Sequence, residues 1–121
     1  MQFLLVFLGG GLGSCLRYAA RLVVESSRFP YATLAVNVIG SFAAGWIVHL
    51  ALRQQIAPGW KLFLMTGVLG GFTTFSAFSG ETIELLVAGR SRAAAINVLV
   101  SVVVCLLAAG AGFRIAASSG L

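Results

Sequence analysis

Four apolar stretches, residues 3–24, 31–52, 60–87 and 93–117, occupy nearly all of this 121-residue chain and leave only the connections ESSRFP, RQQIAPG and AGRSR between them. A helix crosses the bilayer hydrocarbon with roughly 20 predominantly apolar residues, so each stretch is long enough to span it. The connections carry the Pro, Gly and charge that turns require. The expected fold is an all-α membrane protein of four transmembrane helices, forming a single transmembrane domain over residues 1–121.

Composition agrees: 60% of residues are hydrophobic, 9% are charged, and the mean hydropathy is +1.03. No segment outside the apolar stretches is long enough to fold alone, so any function has to be built inside the bilayer. The formal charge of +5 does not point to nucleic acid, because the eight basic residues are spread over loops and helix ends. Basic residues placed that way flank membrane spans. The first stretch is not a signal peptide: no basic segment precedes it, it exceeds a signal core in length, and three similar stretches follow. Cys15 and Cys105 both fall inside apolar runs and are expected as buried free thiols rather than a disulfide or metal site.

Small residues recur four apart, at Gly9 and Gly13, Gly40 and Ala44, Ser41 and Gly45, and Ala108 and Gly112. That spacing lets helix backbones approach closely in lipid, where van der Waals contact holds helices together. Four short helices enclose little interior, so a homo-oligomer is the economical way to build a pathway. With four spans, Arg53, Lys61 and Arg114 share one side of the membrane, whereas Arg21, Arg28, Arg90 and Arg92 share the other, with Arg17 deeper. This weak bias does not fix an orientation, and an antiparallel dimer of two orientations is consistent with it.

Polar groups at membrane depth mark a pathway or a helix–helix bond. Arg17 lies about two turns before the first span ends and either snorkels or faces a vestibule, where its field would concentrate anions. Asn37 needs hydrogen-bond partners in the second span, as glue or as a pore-lining donor. Asn97, Ser101 and Cys105 follow one another at one-turn intervals and form a polar stripe on the last span. Glu84 can reach the interface, whereas Glu81 lies deeper and needs a partner; His49 falls near the end of its span. None of these has the spacing of a metal site or catalytic triad, so an enzyme is not expected.

The third span interrupts itself with GGFTTFSAF at 70–78, preceded by Gly67. So many helix-weak residues at mid-span predict a break, which membranes tolerate only where the backbone is buried in protein or lines a polar cavity. A break frees carbonyls that can hold a cation and N–H groups that can meet an anion. If helix resumes afterwards, Phe75 and Phe78 share a face and can turn electropositive ring edges to an anion, with the Ser76 hydroxyl between them.

GGGLGSCLRY at 9–18, TLAVNVIGSFAAG at 33–45, GVLGGFTTFSAFSGET at 67–82 and NVLVS at 97–101 together resemble the Fluc (CrcB) fluoride channels, in order and over essentially the whole chain. The resemblance implies a fluoride-selective channel of the bacterial inner membrane that passively exports fluoride to lower its toxicity. It further implies an antiparallel, dual-topology homodimer with two pores and a structural sodium ion at the dimer centre. By the family pattern Asn37 is a pore-lining donor, Phe75 and Phe78 form the aromatic box, Ser76, Ser101 and Glu81 lie on or beside the polar track, and Arg17 stands in the vestibule. The implied sodium ligands are the main-chain carbonyls of Gly70 and Thr73. Ala77, Asn97 and Cys105 depart from the residues common in the family. The rival reading, a small proton-coupled multidrug transporter, would want a membrane-embedded carboxylate; Glu25 falls in a loop and only Glu81 could serve. A membrane subunit that merely recruits partners would leave Asn37 and the broken helix without a purpose.

Overall fold

The computed structural model of the chain describes residues 1–24 and 28–121. Glu25, the loop carboxylate weighed above, lies outside the described residues. The described residues are helical apart from their connections: α1 (Gln2–Val23), α2 (Tyr31–Leu52), α3 (Pro58–Lys61), a π-helical stretch (Leu62–Leu69), α4 (Gly70–Phe72), α5 (Phe75–Val87) and α6 (Ser91–Ser118). Residues 58–87 together make the third of four spans. It is a bent one, with its helix broken at depth.

Two ends show why these segments stop where they do. Gly89 has φ 73°, and the Arg90 N–H reaches back 2.8 Å to the Leu85 carbonyl, closing the end of α5 as a Schellman turn. Gln54 does the same for α2 at φ 56°, with the Gln55 N–H 2.8 Å from the Leu50 carbonyl. Pro58 starts α3 at its first turn, where a missing N–H is harmless.

The spans associate as two tight pairs. In the first, α1 lies along the π-helical stretch and α4. A Cβ on Gly9 would come within 2.6 Å of the Phe63 carbonyl oxygen and 2.9 Å of the Gly67 Cα, so backbone meets backbone there. The wider π-helical turn carries Gly67, and beyond it Gly71, against α1, while Met65 and Leu69 face the opposite side. In the second pair, α2 and α6 meet through Gly45, set against the Ala109 backbone, and Gly112, set against that of Phe42. With no hydrophobic force to drive helices together in lipid, this proximity is what supplies the van der Waals energy.

Two expectations are corrected by the placement of residues. Gly67, Gly70 and Gly71 do not break the third span; they lie in helical backbone, and the extended residues are Thr73 (ψ 154°) and Thr74 (ψ 116°). Three of the helix-weak residues thus serve backbone proximity or exposure, and the β-branched threonines, which suit extended backbone, carry the break. Cys15 and Cys105 are free thiols, but Cys15 is exposed on α1 rather than buried, and Cys105 is half-buried. His49 is buried at the end of α2, edge-on to the Phe113 ring, with Nε2 2.8 Å from the Leu121 carbonyl oxygen.

A Gly9→Ala substitution should lower the thermal unfolding midpoint, since overfilling a tight contact costs about 1–3 kcal/mol. Gly10→Ala, whose added Cβ meets nothing within 4 Å, should leave the midpoint unchanged. Equal midpoints for the two variants in detergent would show that the α1 contact is not limiting.

Candidate functional site

The site begins with the Asn37 side chain, one turn beyond Thr33 on α2. Its Nδ2 donates to the Thr74 carbonyl at 3.1 Å and its Oδ1 accepts the Thr74 N–H at 2.8 Å. A two-residue gap in a helix leaves backbone groups without partners, and at membrane depth each such group costs several kcal/mol. Asn37 satisfies both groups of one residue at once.

The clamp and the cap of α5 account for two of the carbonyls at the break. In an unbroken helix the Thr74 N–H would bond the Gly70 carbonyl, and the Ala77 N–H would bond that of Thr73. Here the Thr74 N–H goes to Asn37, and the Ala77 N–H goes to Thr74 Oγ1 at 3.1 Å, capping α5. The carbonyls of Gly70 and Thr73 are thereby released from helical pairing. Thr73 holds the other side of the break, its N–H and hydroxyl both donating to the Leu69 carbonyl at 2.9 and 2.8 Å.

A groove of about 520 Å³, open along one side, runs past the break. It collects Asn37, Gly70, Thr73, Phe75, Phe78 and Ser101, together with the half-buried Cys105. The Phe75 and Phe78 rings touch, with centroids 5.3 Å apart and planes tilted by 46°. Phe75 is 78% exposed at the groove's open side. Ser76, by contrast, lies outside the groove lining, exposed, with its hydroxyl 3.1 Å from Thr74 Oγ1.

Ser101 ends a hydrogen-bond chain whose direction is fixed by a backbone carbonyl. The Phe78 carbonyl can only accept, and it takes the Thr82 hydroxyl at 2.7 Å. Thr82 Oγ1 therefore accepts from Asn97 Nδ2 at 2.9 Å, which turns Asn97 Oδ1 toward the Ser101 hydroxyl at 3.4 Å. That last bond is long and therefore weak, so the Ser101 hydroxyl is only lightly committed to Asn97 beside the groove. Asn97 is 2% exposed; it ties α6 to α5 and does not itself line the groove.

One turn past Phe78, Glu81 belongs to a second cavity, about 350 Å³, at the end of the bundle. Among the described residues Arg21, Arg28, Arg90 and Glu84 share it. Glu81 Oε1 accepts the Thr33 hydroxyl at 2.7 Å and lies 3.7 Å from the Arg21 guanidinium. Arg90 donates to the Arg28 carbonyl, fastening the rim. Arg17, half-buried on α1, is in the lining of neither cavity. The two cavities are linked side by side along two helices, by Thr33 and Asn37 on α2 and by Glu81 and Phe78 on α5.

Arg21, Thr33, Thr74 and Thr82 are site residues that the sequence reading did not single out. A signal for Thr33 was present: Thr33, Asn37 and Ser41 repeat at one-turn intervals along α2. Among the described residues no group of three His, Cys, Asp or Glu side chains converges; what the break has to offer a cation is neutral oxygen, from carbonyls and threonine hydroxyls. Released carbonyls are hard, neutral ligands of the kind an alkali cation takes at a broken helix. What the groove offers an anion is hydroxyl, amide and ring-edge donors without a full charge.

The sequence profile of the family described as CrcB-like protein, Camphor Resistance (CrcB), matches residues 4–113. The chain is 44% identical over 119 residues to the fluoride-specific ion channel FluC 2 of Nitrobacter hamburgensis, covering 95% of this chain and 96% of the relative. It is 46% identical over 119 residues to the fluoride-specific ion channel FluC of Elusimicrobium minutum, covering 95% and 93%. A fluoride-specific ion channel FluC of Thermus thermophilus is 44% identical over 117 residues, covering 94% of each chain.

Replacing Asn37 with Leu removes the partners of one buried N–H and one buried C=O, and should destabilise the fold by about 1–3 kcal/mol per group left unpaired. Thermal unfolding in detergent measures this. A melting midpoint equal to that of the parent would mean that the break does not depend on the clamp.

Proposed function

The chain belongs to the CrcB-like family, and from that premise we propose that it is a fluoride-specific ion channel, a multi-pass protein of the bacterial inner membrane and not an enzyme. The observation that carries the reading is the groove beside the broken helix, where Asn37, Ser101, Phe75 and Phe78 offer only neutral donors. Fluoride holds its water strongly, so a pore has to replace that shell with donors; a full positive charge in the narrow part would bind the ion too tightly to release it. Amide, hydroxyl and ring-edge donors meet both conditions. Flow is passive, and its use is export: hydrogen fluoride enters as a neutral acid, dissociates in the less acidic cytoplasm, and the anion leaves down its gradient.

The assembly we infer is an antiparallel homodimer. Two observations support it: the basic residues give little orientation bias, and the groove is open on one side, where Asn37, Thr73 and Ser101 interrupt a largely apolar wall and would face lipid without a further partner. A second copy closes the groove and places two breaks near each other. In that setting the carbonyls of Gly70 and Thr73 would hold a sodium ion, whose charge offsets the carbonyl dipoles left unpaired by the Asn37 clamp.

Purified protein in liposomes loaded with potassium fluoride should release fluoride to an ion-selective electrode when the membrane potential is relieved, and should retain chloride. No release, or equal release of chloride, refutes the channel. In the same assay Phe75→Ile and Asn37→Asp should reduce fluoride release by about tenfold or more, the scale of losing one charge-directed donor. Unchanged release in both variants would take the groove out of the pathway. Replacing sodium by N-methylglucamine throughout should lower the melting midpoint of the dimer; an unchanged midpoint would remove the sodium ion from the assembly.

A further inference from the structure

Glu81 poses a problem for an anion pathway. It stands one turn past Phe78, which lines the groove, and borders the cavity at the bundle end, so a fluoride ion passing between the two would come near its carboxylate. Two like charges at such range repel, and more strongly where protein and lipid lower the dielectric. Thr33 satisfies only Oε1; among the described residues Oε2 is buried without a hydrogen-bond partner. The hydroxyl donor places the carboxylate without cancelling its charge.

The opposite charge comes from α1. The Arg21 guanidinium lies 3.7 Å from Glu81 Oε1, with side chains 55% and 17% exposed respectively. It is the one ion pair found among the described residues. Arg28 and Arg90 share the cavity, but the Arg90 guanidinium is engaged by the Arg28 carbonyl. Arg21 also lies one turn beyond Arg17, so the arginine singled out by the family pattern and the arginine that reaches the acid are different residues on the same helix.

We propose that Arg21 sets the fluoride conductance by offsetting the charge of Glu81 at the mouth of the pathway. It acts through the carboxylate rather than as a ligand of the ion. The inference rests on the channel reading, and it adds a residue to that reading from this chain's own geometry. Its consequence is that conductance depends far more steeply on the charge at position 21 while position 81 is acidic. Glutamine at 81 keeps an oxygen acceptor for the Thr33 hydroxyl and removes the charge, so it preserves the local geometry and should conduct.

Single-channel fluoride currents in planar lipid bilayers test this with Arg21→Lys, Arg21→Gln and Arg21→Glu, each made in the parent and in a Glu81→Gln background. Size-exclusion elution at the parent position confirms assembly of each variant. In the parent background Arg21→Lys should carry nearly the parent current, Arg21→Gln about fivefold less, the scale of a partly exposed ion pair, and Arg21→Glu less again. In the Glu81→Gln background the series should be much shallower, with Arg21→Lys and Arg21→Gln nearly equal and only Arg21→Glu lower, through its own charge. Equal currents across the series in the parent background, an equally steep series in the Glu81→Gln background, or a Glu81→Gln protein that does not conduct would each overturn the proposal. A parent protein without fluoride current would instead refute the channel reading.

Discussion

The double hydrogen bond between the Asn37 amide and the Thr74 backbone is the contact on which the rest of the site depends. An interrupted helix at membrane depth exposes groups that lipid cannot satisfy, and one side chain from a neighbouring helix removes that penalty for both polar groups of Thr74. The consequences run in two directions along the chain. Behind the break, the carbonyls of Gly70 and Thr73 lose their helical donors; ahead of it, Thr74 caps α5 and fixes where Phe75 and Phe78 begin. The proposed cation site and the proposed anion path would therefore share one structural cause. On that proposal a chain with few charges would meet ions of both signs with the partial charge of its own backbone and rings.

The clamp needs the helices held at short range, and the glycines do this. Gly9 and Gly67 bring α1 against the third span, while Gly45 and Gly112 bring α2 against α6. Each pair buries backbone against backbone, which leaves the large side chains for the outer faces, where lipid is as good a solvent as protein. Two tight pairs meeting across a polar seam leave an open groove instead of a filled core. The buried hydrophobic side chains are correspondingly few, with Val36 and Ala116 among them. In lipid that is no defect, because burial of apolar surface is not what holds such helices together.

Charge is divided between two places. The groove carries neutral donors, whereas arginines and glutamates gather in the cavity at the bundle end. Full charges are tolerated where charges of opposite sign lie close enough to offset one another, as they do in that cavity. Glu81 stands at the boundary between these regions, held by the Thr33 hydroxyl and faced by Arg21. On the α6 side, the directional chain from Ser101 through Asn97 and Thr82 to the Phe78 carbonyl ties the groove wall to the helix that carries the rings.

The sequence by itself determined the four membrane spans, their connections, the interruption of the third and the importance of Asn37, because length of apolar run and a polar group at depth are local properties with strong energetic consequences in lipid. It pointed to small residues at helix spacing, and resemblance supplied the family. Which residues break the helix was not legible, since Gly67, Gly70, Gly71, Thr73 and Thr74 are all helix-weak, and the proximity to α1 that Gly67 and Gly71 serve in helical backbone is not written in their spacing. Nor could the partner of Glu81 be read: Arg21 and Thr33 come from two other helices, and Arg21 in the sequence is one more basic residue near a span end. Tertiary structure decided these points because hydrogen bonds and ion pairs act over a few ångströms between segments far apart in the chain, where no spacing rule records them.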